Sequence, residues 1–328
     1  MRRRDFLTLL GATAAAWPLA ARGQQDGRVR RIGILEFGLQ SDRVTQLRQG
    51  ALREGLAKQG WIEGRNVRFD VRYFEDDPDR MRAHADELVR LAPDVIVVSS
   101  RPGTLAVMQR TRTIPIVFIN IGDPLIGGIV KSVARPEGNV TGATGLFESI
   151  ASKWLEMLKE ASPRTARAAL LFVPEFVFES YLVALDNAAA VLGVKAIRTP
   201  YRGAAELEHA IDAFAAEPDG GLIVMPPAPR GSNRELINQL ALKYRLPTIG
   251  PNKYDAADIV MMSYGPDGVE VSRVAATYVD RILRGAKISE LPVQFPTKFE
   301  LIVNLKAAKA IGLTIPETFL LRADEVIE

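Results

Sequence analysis

Short apolar runs alternate with longer stretches of helical spacing along most of the chain. Residues 31–37 form a short, mostly apolar run that stops at Gly38, as a buried strand does. Val44, Leu47, Ala51, Leu52 and Leu56 then fall at the spacing of a helix face, which ends at Gly60. Residues 67–74 alternate as a second strand, 79–91 form a helix, 94–99 a third strand, 102–110 a helix and 114–119 a fourth strand. A short helix is expected after Asp123-Pro124. Strands alternating with helices of this length predict a parallel sheet covered on both faces.

Residues 139–145 are small and polar and read as a crossing to a second lobe, after which the pattern restarts. Helices are expected at 150–161, 176–192, 204–216 and 232–244. Strands are expected at 168–173, 194–199, 221–225, 247–250 and 259–264. A long helix over 267–284 carries Val271, Val274, Ala275, Tyr278, Val279 and Ile282 on one face. The stretch from Leu291 to Asn304 reads as extended. Its Pro292 and Pro296 suit a connecting strand and not a sheet interior, so it is read as a span between two α/β lobes. A helix over 304–311 and a tail over 320–327 complete the chain.

A length of 328 residues accommodates two such lobes, each with its own core. The formal charge of +3 comes from the N-terminus: setting aside four arginines and one aspartate in residues 1–23 takes 42 basic and 39 acidic residues to 38 of each. A neutral chain with scattered charges lacks the concentrated basic surface that nucleic acid requires. The absence of cysteine removes disulfides, thiolate metal sites, a cysteine nucleophile and a lipid anchor. His84 and His209 fall on separate predicted helices and are read as surface residues, so neither a metal nor a cofactor is expected.

Arg2-Arg3-Arg4 precedes an apolar run from Leu7 to Ala21 that is too short to span a membrane. Ala21 and Gly23 then suit a cut before Gln24. Residues 1–23 are therefore read as a signal peptide. Arg3-Arg4-Asp5-Phe6-Leu7 resembles a twin-arginine signal, with Arg2 and Thr8 departing from its usual residues. Export to the periplasm is expected, with no membrane span once the signal is removed.

In open parallel sheets ligands bind beyond the carboxyl ends of the strands. Those loops here include Glu36–Gln40, Ser99–Gly103, Asn120–Pro124, Pro174–Glu179, Pro226–Ser232 and Asn252–Asp255, with Tyr264 at a crossing. Pro102 suits a first helical position. Either Ser100 or Arg101 then caps the helix, and its free N–H groups face the cleft, where Ser99, Ser100 and Arg101 would hold an anion. Asp123 either receives a ligand amine or caps its own short helix. Phe37, Phe176, Phe178 and Tyr264 either stack on a flat ligand or pack in the core and hinge. The dinucleotide glycine turn, the phosphate loop and the nucleophile elbow are all missing, so an enzyme is not expected.

Several longer motifs carry a family resemblance: 114–117 with Gly122-Asp-Pro124, 134–142, Met262-Ser-Tyr-Gly265, 276–287, 291–301 and 322–328. Over nearly all of residues 28–328 the chain resembles the substrate-binding proteins of bacterial ABC transporters, in the family that includes tryptophan- and tyrosine-binding members. The resemblance implies a type I periplasmic-binding-protein fold: two Rossmann-like lobes with parallel sheets joined by a three-strand hinge. Lobe one would comprise residues 28–143 plus 265–295, and lobe two 144–264 plus 296–328. It implies a monomer that captures a small-molecule solute, an amino acid or small carboxylate, and docks on an inner-membrane ABC permease. Arg101 stands where the family usually has a small residue and favours a more anionic solute. Residues 258–261 replace the family's glycine-rich approach to Tyr264. An exported sensory subunit, an α/β enzyme and a DNA-binding regulator of the same architecture are the rival readings, the last opposed by the signal peptide.

Overall fold

A computed structural model describes residues 28–75, 77–145, 148–226, 232–254 and 261–328. The expected signal peptide, residues 227–231 and residues 255–260 lie outside the described residues. Two sheets organise the chain. The first, in the order β2-β1-β3-β4-β5, is built from β1 (Arg30–Phe37), β2 (Val67–Phe74), β3 (Val95–Val98), β4 (Ile116–Ile119) and β5 (Val140–Ala143), all parallel.

Alternation along its strands divides the side chains between two cores. Ile32, Ile34, Val95, Val97 and Val117 face one way. They meet Leu52 and Leu56 of α1 (Arg43–Lys58) and residues of a later helix. Leu35, Phe37, Ile96, Val98 and Phe118 face the other way. There they meet Met81, Ala85 and Leu88 of α2 (Pro78–Arg90) and Ala106 and Val107 of α3 (Arg101–Arg110). Continuous apolar strands are the signature of a sheet buried on both faces.

The second sheet runs β12-β11-β10-β9-β8-β6-β7. Its strands are β6 (Arg167–Phe172), β7 (Lys195–Pro200), β8 (Gly220–Val224), β9 (Thr248–Gly250), β10 (Met262–Pro266), β11 (Phe299–Asn304) and β12 (Glu325–Ile327). β10 and β11 pair antiparallel; the other pairs are parallel. One face packs on α4 (Glu148–Ala161) and α5 (Glu179–Leu192) through Trp154, Leu158, Tyr181 and Leu185. The other packs on α6 (Gly203–Ala215) and α7 (Ser232–Tyr244) through Leu207, Ile211, Phe214 and Ile237. α8 (Gly268–Leu283) returns to the first sheet, where Val271, Ala275, Val279 and Ile282 join its core. α9 (Leu305–Ala310), capped by Asn304, and α10 (Glu317–Leu320) follow β11.

The expected helix after Asp123-Pro124 is a turn. Residues 139–145, read as a crossing, hold strand β5, and the tail over 320–327 holds β12. Each strand is only three or four residues long and gains its partner at a sheet edge, so local periodicity carries little of it. The helix expected from 176 starts at Glu179, which leaves Phe176 in the preceding loop.

The stretch after α8 connects the two sheets. Gln294 bridges Ala143, and the Gln294 N–H donates to the Gly142 carbonyl at 3.0 Å; five residues later the chain enters β11. An ion cluster braces this region. Lys253 lies 2.7 Å from Asp267 and 3.1 Å from Glu300, and Lys298 lies 2.8 Å from Glu300. Burial alone would raise Asp267, but hydrogen bonds from Lys253 and the Val269 N–H hold it below the usual carboxylate range. The bond from Lys298 lowers Glu300 against burial, and Lys253 adds to it. Burial acts against the Lys253 charge, and its two carboxylate partners outweigh that and raise its pKa.

Depressed carboxylates stabilise the fold above their unfolded values of about 4, and that stability is lost as pH falls through the folded values. A raised lysine stabilises below about 10.4 and loses its contribution as pH rises through its folded value. Lys253→Met is therefore expected to reduce the melting-temperature loss between about pH 6 and pH 3, by the equivalent of about 1 kcal/mol. Differential scanning calorimetry across that range checks this, and superimposable acid limbs would refute it.

Candidate functional site

The loops at the strand ends of both sheets converge on one narrow cleft. Phe37, Ser99, Ser100, Arg101, Pro102 and Asn120 line it from the first lobe, and Phe176, Phe178, Pro226, Pro251 and Asn252 from the second. Arg48, Pro266 and Gly268 complete it.

Ser100 caps α3: its Oγ accepts from the Gly103 N–H at 3.1 Å, which decides the expected choice between Ser100 and Arg101. Ser99 Oγ accepts from the Phe37 N–H at 2.7 Å and so ties two strand-end loops together. Arg101 donates to the backbone carbonyl of Asp123 at 3.0 Å and to that of Ile126, and its guanidinium lies 5.2 Å from the Phe178 ring centroid. It therefore straps the loop after β4 while remaining part of the cleft wall.

Aromatic rings join the lobes. Phe176 lies in the core cluster of the first sheet, with its ring centroid 5.6 Å from that of Phe37, which in turn meets Phe74 edge-on at 5.7 Å. Phe178 covers Gly122 so closely that a Cβ there would fall 2.8 Å from its Cε2. Gly122 also has φ +74°, in the left-handed region that favours glycine.

Two expected residues lie apart from this lining. Asp123 turns its carboxylate to the Leu125 N–H at 2.8 Å, closing its own turn. Tyr264 stacks on Phe299 at 5.9 Å, and its carbonyl accepts from Trp154 Nε1 at 2.7 Å, within the β10–β11 pair. β10 alternation sends this ring toward the core over α4.

Arg48 is the residue that strand-end reasoning misses, because it sits mid-helix in α1. Val44, Arg48 and Leu52 fall on one stripe at four-residue spacing, and a lone cation on an otherwise buried stripe is the signal that could have found it. Arg48 Nη2 donates to Asn252 Oδ1 across the cleft at 3.3 Å, while its Nε is buried without a hydrogen-bond partner. Asn120 Oδ1 is likewise buried and unpartnered, on a residue with φ 55°. Among the described residues no group of three potential metal ligands occurs, and no helix is long and apolar enough to cross a membrane.

The cleft thus lies between two α/β lobes and is walled by aromatic rings and two arginines. The chain belongs to the family of ABC transporter substrate binding proteins, whose family model matches residues 31–327. A curated relative, the tyrosine-binding protein of Clostridioides difficile, is 23% identical over 291 residues, spanning 87% of this chain and 81% of the relative. A conserved domain protein from Vibrio cholerae superposes with a TM-score of 0.81 at 26% identity, covering 91% of this chain and 100% of the other. An ABC domain from Streptococcus pneumonia, solved in complex with L-Trp, superposes with a TM-score of 0.79 at 20% identity, covering 91% and 99%. The architecture is the type I periplasmic-binding-protein fold.

Proposed function

We propose that this chain is the exported solute receptor of an ABC import system. It holds an amino acid or small carboxylate between its lobes, returns it unchanged, and delivers it to an inner-membrane permease. The relatives that bind tyrosine and L-Trp support a ligand of that size. The observation that carries the reading is the Phe37–Phe176 contact across a cleft lined by both lobes. Such contacts form and break when lobes rotate about a hinge. Ser99, Ser100, Arg101 and Arg48 supply the polar side of the site, and Phe37, Phe176 and Phe178 the apolar side.

The test is a thermal-shift screen of amino acids, aromatic acids and dicarboxylates on the mature chain, followed by solution scattering with each hit. A true solute at 100 times its Kd adds about 2.7 kcal/mol of stability and raises the melting temperature, and it reduces the radius of gyration. Consumption of the solute, with an unchanged scattering profile, would remove the proposal.

A further inference from the structure

The cleft wall is cationic in a one-sided way. Arg48 and Arg101 both line it, and among its described lining residues there is no carboxylate. Four carboxylates around the rim are already engaged. Asp42 caps α1 through the Thr45 N–H at 2.9 Å, and Asp123 accepts from Leu125. Asp267 caps α8 and pairs with Lys253, and Glu300 pairs with Lys253 and Lys298. A zwitterionic amino acid would leave its ammonium among two guanidinium groups and three phenyl rings, with no carboxylate among the described lining residues to meet it. An isolated charge in such surroundings is costly.

Arg48 presents the opposite need. Its Nε is buried and unpartnered, and its single described hydrogen bond is to a neutral amide. Its guanidinium lies against Gly268, the first residue of α8, where a Cβ would fall 3.0 Å from Nε. The N-terminus of that helix is already capped by the Asp267 carboxylate, so the positive charge at this spot is that of the arginine itself. Asn120 Oδ1, also buried and unpartnered, offers a neutral acceptor for a ligand hydroxyl or ring N–H.

We propose that the solute is an aromatic monocarboxylate without an α-amino group. Its carboxylate accepts from the Arg48 guanidinium and its ring lies among Phe37, Phe176 and Phe178. This rests on the receptor reading above and narrows it.

Isothermal titration of the mature protein with two matched trios tests the proposal. The first is 3-(4-hydroxyphenyl)propionate, tyrosine and tyramine; the second is indole-3-propionate, tryptophan and tryptamine. In at least one trio the acid is expected to bind 10-fold or more tighter than the amino acid, with no binding of the amine. Arg48→Gln is expected to weaken the acid about 100-fold. Gly268→Ala keeps the arginine but crowds its head. It is expected to weaken the acid about 10-fold at an unchanged melting temperature, which separates lost binding from lost folding. An amino acid binding as tightly as its acid, an Arg48→Gln affinity equal to the parent's, or no acid binding in either trio would overturn the inference. Lobe closure around an amino acid in the scattering experiment would leave the receptor reading standing while this one fell.

Discussion

Replacing Phe176 with alanine is expected to leave the lobes open. The ring is 2% exposed, is carried by a loop of the second lobe, and lies within the core cluster of the first beside Phe37. Truncating a buried phenylalanine costs about 3–5 kcal/mol. Here that cost falls on the contact between lobes, because the cores over α4–α5 and α6–α7 do not use this ring. A shift of about 3 kcal/mol toward the open form lowers the apparent affinity for any enclosed solute by about 100-fold, through the smaller fraction of competent molecules. The unliganded radius of gyration should rise while far-ultraviolet circular dichroism stays the same. A variant that scatters like the parent would show that Phe176 does not hold the lobes together.

The second large effect is expected at Trp154. Its side chain is fully buried, stacked on Tyr181 with centroids 6.0 Å apart, and donates to the Tyr264 carbonyl at 2.7 Å. Trp154→Ala removes the largest side chain from the second lobe's principal core and orphans a carbonyl on β10, so a loss of about 3–5 kcal/mol is expected. Trp154→Phe keeps most of the packing and loses the hydrogen bond, and should cost roughly 1–3 kcal/mol. Urea titrations of the three proteins check the order, and equal midpoints for parent and Trp154→Ala would contradict it.

The βα rhythm of the chain was legible because its strands are buried on both faces. Runs such as 95–98 and 168–173 have no polar interruption, and helices such as α8 show a clear stripe. β5 and β12 were not legible, since their residues become strands only by joining an edge that other segments build. The strand-end loops read from the sequence do line one cleft. Individual roles were harder to read. The backbone can satisfy a side chain locally, as Leu125 does for Asp123, and strand alternation can turn a ring away, as at Tyr264. Arg48 was hidden because it reaches the cleft from the middle of a helix, a placement set by tertiary packing of α1 on the sheet.

The bond from Trp154 to the Tyr264 carbonyl has an experimental use. It couples an indole in the second lobe to a strand leading directly into the passage between sheets, whereas Trp61 is bonded to Asp280 at 2.8 Å wholly on the other side. Two of the chain's three tryptophans are thus placed differently, one bonded to the strand at the proposed hinge and one packed in the core of the first sheet. Their emission offers a label-free optical gauge of lobe rotation with a built-in reference.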